Sequence, residues 1–326
     1  MEYVRLGKTG LLASELCLGT MTFGNEADEP TSRAIMDHAL ALGFNFFDTA
    51  HNYNKGETER LVGRWLGPHR HDIILASKVF FPCGGNRNDE GLSRRNLIFA
   101  VEESLRRLQT DYLDILYMHH WDENVAIEQT LAALNTLVEQ GKVLYVAVSN
   151  FAAWQVMKAI GIAQARGYAP VVCMQPMYSL VKRQVEVELL PLAAHEGLAV
   201  CPYNAIGAGL LTGKYLDGQT GRLNEMEMYR QRYANPQYTE VTKRFVAYAR
   251  KHGFSPAALA MAWVQSHPTV TAPIIGARNR AQFEDTLGCL DIRLSPDQRA
   301  EITALSIDPP DATDRESMAA MRARGW

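Results

Sequence analysis

The sequence predicts an α/β fold, a (β/α)8 TIM barrel with an N-terminal β-hairpin plug and extra C-terminal helices. Eight short apolar runs that suit buried strands alternate with amphipathic helical segments. The length of 326 residues is typical of one such barrel. No linker rich in proline, glycine or serine divides the chain, so we expect residues 1 to 326 to form a single domain.

The elements follow in order from the start of the chain. Residues 3 to 13 place Gly-Lys-Thr-Gly between two apolar stretches, which favours a hairpin that closes the bottom of the barrel. An extra helix is expected near 295 to 305, and the tail at 306 to 326 packs over a face or stays free. The predicted strands are 14 to 20, 44 to 48, 72 to 77, 113 to 119, 143 to 148, 171 to 175, 198 to 203 and 271 to 275, and the predicted helices are 31 to 42, 57 to 66, 92 to 108, 126 to 140, 151 to 166 and 184 to 196.

Capping residues and one long loop mark several boundaries. Thr31 is expected to cap the first helix, and Ser255 followed by Pro256 is typical of a helix start. Gly43 and Gly141 are expected at helix C-termini. The irregular stretch at 215 to 238 is too long for an ordinary connection, which predicts a mobile flap.

Composition excludes several classes of protein. No apolar stretch approaches the roughly 20 residues of a membrane span, and no signal peptide is visible, so a cytoplasmic location is expected. A formal net charge of -3 provides no basic field for nucleic acid. Five cysteines without a CxxC pattern indicate reduced thiols, and the histidine pairs lack the second ligand cluster of a metal site. The oligomeric state cannot be inferred from the sequence.

Four polar residues stand at strand ends. In the segment FNFFDTAHNY, residues 44 to 53, an apolar strand ends at Asp48 and Tyr53 follows five residues later; Lys78 and His119 end two further strands. Side chains at the C-terminal strand ends of a barrel converge on one mouth. Taken singly, each residue is better explained as part of a structural ion pair or as a core histidine. Together they favour a site.

The chemistry of this group is that of a proton donor. A tyrosine with an ordinary pKa of about 10 is protonated at neutral pH and suits a general acid. A nearby lysine would lower that pKa, an aspartate would keep the lysine charged, and an imidazole would orient a carbonyl oxygen. Such a group fits carbonyl reduction, in which a cofactor must supply the hydride because no side chain can.

These motifs resemble the aldo-keto reductase superfamily across nearly the whole chain, in its bacterial branch similar to potassium-channel β-subunit-like reductases. The resemblance is carried by DTAxxY, the lysine ending strand three, the Asp114 to His119 spacing and VSNF at 148 to 151. It implies NADPH-dependent reduction of an aldehyde or ketone, sugar-derived carbonyls included. The implied catalytic residues are Tyr53 as general acid, Asp48 and Lys78 as its tuning pair, and His119 as the residue that orients the carbonyl.

The resemblance also implies how a nicotinamide cofactor is held, since no GxGxxG follows a strand. Amides at strand ends would bind the carboxamide, Tyr203 would stack on the ring, and the loop at 204 to 215 would wrap the pyrophosphate. Arg278, near a helix N-terminus, would bind a 2′-phosphate, which favours NADPH over NADH without fixing how strictly. The implied cofactor residues are Gly19, Thr20, Met21, Asp48, Ser149, Asn150, Gln175, Tyr203, Asn204, Ile206, Gly207, Gly209, Leu210, Gly213, Lys214, Ile275, Gly276, Arg278, Gln282, Asp285 and Thr286.

The substrate and two alternative functions stay open. An aromatic substrate pocket is expected from residues on the loops after strands one, three and four, although Phe80 and Phe81 suit simple loop packing equally well. One alternative is an NADP-binding regulatory or redox-sensing protein with slow turnover. The other is a barrel lyase in which Lys78 forms a Schiff base. The expected pocket residues, beside Met21, are Phe23, Phe80, Phe81, His120 and Trp121.

Overall fold

Eight parallel strands and a two-stranded hairpin form the centre of the computed structural model, which describes residues 1 to 312. The hairpin consists of β1 (Tyr3–Arg5) and β2 (Leu12–Ser14), which pair antiparallel. The parallel strands are β3 (Cys17–Gly19), β4 (Phe46–Asp48), β5 (Ile74–Val79), β6 (Leu113–Met118), β7 (Val143–Ser149), β8 (Val171–Gln175), β9 (Ala199–Val200) and β10 (Ile274–Ile275).

The parallel strands close into a barrel. They follow one another in chain order from β3 to β9, and β10 pairs with β3. On the other side of β10, the Thr271 amide donates to the Val200 carbonyl (2.8 Å) and the Ile274 amide to the Pro202 carbonyl (2.9 Å). These bonds join the last strand to β9. The predicted (β/α)8 barrel is therefore confirmed.

The last two strands are shorter than predicted. The segments 198 to 203 and 271 to 275 each form only two residues of regular strand. Pro202 and Pro273 interrupt them, because proline has no amide hydrogen to give to a strand ladder. Isolated backbone hydrogen bonds replace the regular strand ladder there, such as the one from the Cys17 amide to the Pro273 carbonyl (3.1 Å).

Helices surround the barrel. Ser255 caps one of them as predicted, whereas the prediction for Thr31 was wrong: Asp28 is the cap, and its side chain accepts a hydrogen bond from the Thr31 amide. No described helix is long and apolar enough to cross a membrane. The helices are α1 (Glu29–Ala41), α2 (Glu57–Leu66), α3 (Arg94–Leu108), α4 (Ile127–Glu139), α5 (Ala153–Arg166), α6 (Leu189–Glu196), α7 (Arg222–Glu225), α8 (Glu227–Arg232), α9 (Gln237–Lys251), α10 (Pro256–Gln265), α11 (Arg280–Leu287) and α12 (Pro296–Thr303).

The hairpin seals the N-terminal end of the barrel. Leu6 is fully buried in the cluster of side chains that fills the barrel interior. Gly7 has φ +55°, and a Cβ there would lie 2.9 Å from the Ala199 amide nitrogen, so the turn lies directly against the strands. The Tyr145 hydroxyl donates to the Thr9 carbonyl (3.2 Å). Open space is therefore left at the opposite, C-terminal end.

Two irregular regions were singled out from the sequence. The stretch 215 to 238 contains the short helices α7 and α8; its mobility stays a prediction. The extra helix predicted near 295 to 305 is present as α12. Of the predicted tail, only 306 to 312 are described, and there Arg183 pairs with Asp308 (2.9 Å). Residues 313 to 326 lie outside the described residues.

Replacing two helical glycines by alanine should have opposite effects on stability. A Cβ at Gly63 in α2 would lie 2.3 Å from the Arg107 carbonyl oxygen, so we expect Gly63→Ala to lower the free energy of unfolding by about 1–3 kcal/mol. A Cβ at Gly161 in α5 meets nothing within 4 Å, so Gly161→Ala should raise it by up to about 1 kcal/mol. Urea denaturation measures both. Equal effects would contradict the close contact of α2 and α3.

Candidate active site

A cavity of about 810 Å³ lies at the C-terminal ends of the strands. Its wall is built by loops that follow the strands and by the stretch 215 to 238. Most residues predicted from the sequence meet there, although they are far apart in the chain. Those that line it are Gly19, Thr20, Met21, Asp48, Tyr53, Phe81, His119, His120, Ser149, Asn150, Gln175, Tyr203, Asn204, Ile206, Gly209, Lys214, Gly276, Arg278, Gln282, Asp285 and Thr286.

A buried ion pair lies beneath the cavity floor. Lys78, at 0% exposure, donates from Nζ to Asp48 Oδ1 (2.5 Å) and to the Thr49 carbonyl (2.8 Å). The second oxygen of Asp48 accepts a hydrogen bond from Gln175 Nε2 (2.9 Å). Burial lowers the pKa of Lys78, but contact with Asp48 and Tyr53 outweighs burial and raises it overall. For Asp48 burial dominates instead, so the pKa of Asp48 is raised although Lys78 opposes the change.

Tyr53 is held by the third donor of the same ammonium. Lys78 Nζ donates to the Tyr53 hydroxyl oxygen (3.1 Å), so the tyrosine proton is left for an acceptor in the cavity. Burial raises the pKa of Tyr53 above its ordinary value of 10.0, and Lys78 only partly opposes this. The sequence-based expectation that lysine lowers this pKa is correct for the effect of Lys78, but the opposing effect of burial is larger. The phenol is a protonated donor at neutral pH.

The loop after Tyr53 has an unusual backbone. Asn54, Lys55 and Gly56 have φ values of 47°, 53° and 88°, a left-handed run that side chains other than glycine seldom adopt. A Cβ at Gly56 would lie 2.0 Å from a guanidinium nitrogen of Arg107. Arg107 pairs with the buried carboxylate of Glu59 (3.3 Å), so this second ion pair fixes the turn that follows Tyr53.

His119 completes the polar group. Its ring centroid lies 6.2 Å from that of Tyr53 and 5.0 Å from that of Phe81, in edge arrangements. Burial, with a smaller contribution from the Lys78 charge, holds the pKa of His119 well below its ordinary value. The imidazole is therefore neutral at physiological pH. Its Nδ1 is buried without a partner among residues 1 to 312, as seen at functional positions.

Side-chain amides form one wall. Asn150 Nδ2 donates to the His119 carbonyl (2.9 Å), and its Oδ1 accepts a hydrogen bond from the Tyr203 hydroxyl (2.7 Å). The Ser149 hydroxyl donates to the Gln175 carbonyl (2.9 Å). Amide groups and the flat face of a tyrosine thus lie side by side at the strand ends, close to Tyr53.

The glycine-rich loop at 204 to 215 curls beside this wall. Asn204, Gly207, Ala208, Gly209 and Gly213 all have positive φ, between 55° and 86°. The Asn204 side chain stabilises the turn, because its Oδ1 accepts a hydrogen bond from the Ala208 amide (3.1 Å). Successive left-handed turns expose amide hydrogens and suit the binding of an anion. Gly207, Leu210 and Gly213 do not line the cavity and shape the loop instead.

Charged residues surround the far end of the cavity. Arg278 forms ion pairs with Glu26 and with Glu225 (3.6 Å), and Arg222 pairs with Glu26 (2.9 Å). These contacts connect the loop after β3, helix α7 and the segment before α11. Burial and the nearby Arg278 charge lower the pKa of Lys214, which lies in the same region. The residue predicted to bind a 2′-phosphate is therefore already paired with carboxylates.

Several predicted residues lie off the cavity wall. Phe23 is fully buried in the main hydrophobic core instead, because its ring packs there and a hydrogen bond from the Thr58 hydroxyl to the Phe23 carbonyl (2.8 Å) fixes the backbone. Phe80 packs behind Phe81 and His120, with ring centroids 5.1 and 5.2 Å away. Also absent from the wall are Trp121, which packs on Phe151 and Trp154 instead, Ile275, which is a buried strand residue, and Lys78.

Sequence reasoning missed the wall residues contributed by the flap. The stretch 215 to 238 was identified as a flap, but none of its residues was assigned to the site. Its clustered tyrosines and arginines in YRQRY, at 229 to 233, were a usable signal, because a solvated loop seldom concentrates aromatic residues. The missed wall residues of the flap are Gln219, Arg222, Met228, Tyr229 and Arg232, and those outside it include Asn52, Met177, Ala257 and Met261.

A barrel with this acid, amine, phenol and imidazole at its mouth defines a class of oxidoreductases. The Aldo/keto reductase family model matches residues 15–307, and the chain belongs to that family. The uncharacterized oxidoreductase YrpG of Bacillus subtilis (strain 168) is 39% identical over 310 residues, covering 90% of this chain and 92% of that protein.

Two further relatives extend the comparison to eukaryotes. A probable voltage-gated potassium channel subunit beta of Oryza sativa subsp. japonica is 34% identical over 327 residues, covering 96% of this chain and 99% of that protein. Norsolorinic acid reductase A of Aspergillus parasiticus is 32% identical over 308 residues, covering 90% of this chain and 78% of that protein. The predicted resemblance, including its potassium-channel β-subunit-like branch, is confirmed.

Breaking the buried ion pair on one side should cost more stability than removing both charges. Lys78→Met leaves the Asp48 carboxylate buried with Gln175 as its remaining side-chain partner, and a loss of about 3–5 kcal/mol is expected. The double variant Lys78→Met with Asp48→Asn should recover more than half of that loss. Urea unfolding gives each free energy. Additive losses would contradict the coupling of the two residues.

Proposed function

We propose that this protein uses NADPH to reduce an aldehyde or ketone to an alcohol, with Tyr53 as general acid. One observation carries the proposal: the Tyr53 hydroxyl accepts a hydrogen bond from Lys78 (3.1 Å) and keeps its own proton, which faces a large cavity. A carbonyl oxygen that gains negative charge needs such a donor. The hydride itself would be supplied by the bound nicotinamide.

Each residue of the group has a separate task in this proposal. Tyr53 donates the proton from its hydroxyl oxygen, and the Lys78 ammonium, held in place by Asp48, stabilises the phenolate that remains. The neutral imidazole of His119 orients the carbonyl oxygen by hydrogen bonding. Phe81 packs against His119 with ring centroids 5.0 Å apart, which limits the movement of that ring and the access of water.

The residues of the cavity fit a nicotinamide dinucleotide. Ser149, Asn150 and Gln175 offer amide and hydroxyl groups for a carboxamide, and Tyr203 offers an aromatic face. The left-handed turns of the glycine-rich loop suit a pyrophosphate, with Lys214 adding charge. Arg278, Gln282, Asp285 and Thr286 line the other end, where adenosine and its 2′-phosphate would bind.

The charges around Arg278 bear on the choice between NADPH and NADH. The guanidinium is partly buried and paired with Glu26 and Glu225, so a 2′-phosphate must replace or share these carboxylate contacts. A phosphate brings more negative charge than a carboxylate and forms strong hydrogen bonds with arginine. We therefore propose NADPH as the preferred cofactor, with a preference weakened by the competing glutamates.

The two alternative functions have less support. A Schiff-base role needs Lys78 as a free amine, whereas Lys78 is fully buried, hydrogen-bonded three times and has a raised pKa. A slow NADP-binding regulator is favoured by likeness to a potassium channel β subunit, and it shares every cofactor residue with the reductase. Only turnover separates the regulator from the reductase.

We take residues 1 to 326 as one domain located in the cytoplasm. All five cysteines are free thiols, as expected in a reducing compartment. The substrate is a small carbonyl compound.

Removing the Tyr53 hydroxyl should abolish turnover and spare cofactor binding. In Tyr53→Phe the ring remains but the proton donor is lost, and general acid catalysis typically contributes about 10²–10⁴-fold. We expect kcat to fall by that order and NADPH affinity, measured by tryptophan fluorescence, to change less than about twofold. Tyr145→Phe is the control, because it loses a hydroxyl bonded to Thr9 at the bottom of the barrel. A Tyr53→Phe protein with unchanged kcat would reject the mechanism.

Arg278 should discriminate between the two cofactors. Arg278→Gln is expected to weaken NADPH binding by about tenfold or more, the effect of losing one charge-assisted hydrogen bond, and NADH binding far less. Arg280→Gln is the matched control, because Arg280 is exposed and pairs with Glu284 (2.7 Å) away from the cavity wall. Fluorescence titration measures all affinities. An equal loss for NADPH and NADH would contradict the assigned role.

A further inference from the structure

Arg232 is a cavity-lining cation without a counter-ion among the described residues. It lies at the end of α8 in the flap, is partly buried and lines the cavity wall. Its guanidinium lies 5.2 Å from the ring centroid of Tyr229, and it forms no ion pair or hydrogen bond within residues 1 to 312. A partly buried arginine is usually paired. The position therefore suits an anion that enters with a ligand.

Arg222, Arg278 and Lys214 also line the cavity, but their electrostatic surroundings differ from those of Arg232. Arg222 and Arg278 are neutralised by Glu26 and Glu225. Lys214 has no ion pair within the described part of the chain, but it belongs electrostatically to that group, because burial and the Arg278 charge lower its pKa. These residues lie where the proposed cofactor phosphates would bind. Arg232 contacts the same Tyr229 ring as Arg222, at 5.2 and 5.7 Å from the ring centroid, but unlike Arg222 it has no carboxylate partner among residues 1 to 312.

Arg232 also lies close to Tyr203, at the strand ends where the nicotinamide would bind. Burial raises the pKa of Tyr203 to about 12, and the Arg232 charge opposes this more than any other group. The Tyr203 hydroxyl is bonded to Asn150, whose amide donates to the His119 carbonyl. Arg232 is thus close to the tyrosine that would stack on the nicotinamide, and two hydrogen bonds join that tyrosine through Asn150 to His119.

The surroundings of Arg232 favour the binding of a negatively charged ligand group. Met228 and Tyr229 lie on the same helix as Arg232, and Met177 contacts the neighbouring Tyr233 (3.9 Å), so the wall nearby has an apolar and aromatic character. In such surroundings a charge-assisted hydrogen bond is stronger than in water, and guanidinium matches the two oxygens of a carboxylate. A neutral substrate would leave Arg232 unpaired when the cavity fills.

We propose that the substrate is an aldehyde or ketone that carries a carboxylate, and that Arg232 is the specificity-determining residue that binds this carboxylate. The inference rests on the proposed reductase function and deepens it. Tyr53 and His119 act on the carbonyl, while Arg232 holds the acidic group from the flap. Since Arg232 does not touch the reacting atoms, it should act mainly on substrate binding.

The test compares acidic aldehydes with neutral isosteres. The probes are 3- and 4-carboxybenzaldehyde and the corresponding formylbenzamides, which differ in charge but hardly in size. For the wild-type protein with NADPH we expect a higher kcat/KM on at least one acid than on its amide, by about tenfold. Arg232→Gln should remove that preference, mainly through KM, with the amide changed less than about twofold.

Two controls separate this role from others. Arg230→Gln removes an exposed arginine of the same helix, paired with Glu227 (2.8 Å), and should leave the preference intact. The NADPH affinity of Arg232→Gln should equal that of the wild type. A large loss of NADPH affinity would assign Arg232 to the cofactor and overturn the inference, as would equal losses on acid and amide or no preference in the wild type.

A binding measurement keeps the inference testable without turnover. If neither aldehyde class is reduced, the proposed function fails on these substrates, but binding of 3- and 4-(hydroxymethyl)benzoate to the NADPH-loaded protein is still measured by fluorescence. Weakening of about tenfold in Arg232→Gln supports the carboxylate site. Identical affinity in the variant and the wild type overturns it.

Discussion

The contact between Lys78 and Asp48 is the interaction on which the rest of the site depends. A charged pair at 0% and 2% exposure is stable only if its remaining donors and acceptors are satisfied. Gln175 serves the carboxylate, and the Thr49 carbonyl and the Tyr53 hydroxyl serve the ammonium. The pair therefore connects β4, β5 and β8 and fixes the phenol at the cavity. A parallel barrel makes this possible, because it brings the C-terminal ends of all strands to one mouth.

The cavity above this pair divides into two electrostatic regions. Around Arg278 and Arg222, carboxylates of Glu26 and Glu225 balance the positive charge and connect the flap to the barrel. Around Tyr53 and Tyr203, the wall is aromatic, and Arg232 is a cation there without a carboxylate partner among the described residues. The flap contributes to both regions through α7 and α8. Its position thus affects how both the proposed cofactor and the proposed substrate are held.

The sequence predicted what depends on strand ends, and it failed where side chains from distant loops meet. Asp48, Lys78 and His119 each end an apolar run, so their convergence follows from the barrel. The ion pairs of Arg278 with Glu26 and Glu225 join three separate segments of the chain, and no local sequence pattern predicts them. Phe23 and Trp121 were expected in the pocket because they are aromatic loop residues, but burial in the core satisfies an aromatic ring equally well. The positions of Tyr229 and Arg232 on the cavity wall depend on how the flap folds, so the sequence alone did not predict them.

The pH dependence of carbonyl reduction with NADPH tests the central claim most directly, namely that Tyr53 is the protonated acid and His119 is neutral. Burial lowers the pKa of His119 and raises the pKa of Tyr53. The rate should therefore be constant where ordinary histidines titrate, from about pH 5 to 8, and should fall only above pH 10.0, as Tyr53 loses its proton. An inflection near pH 6.5 that disappears in His119→Asn would contradict this account.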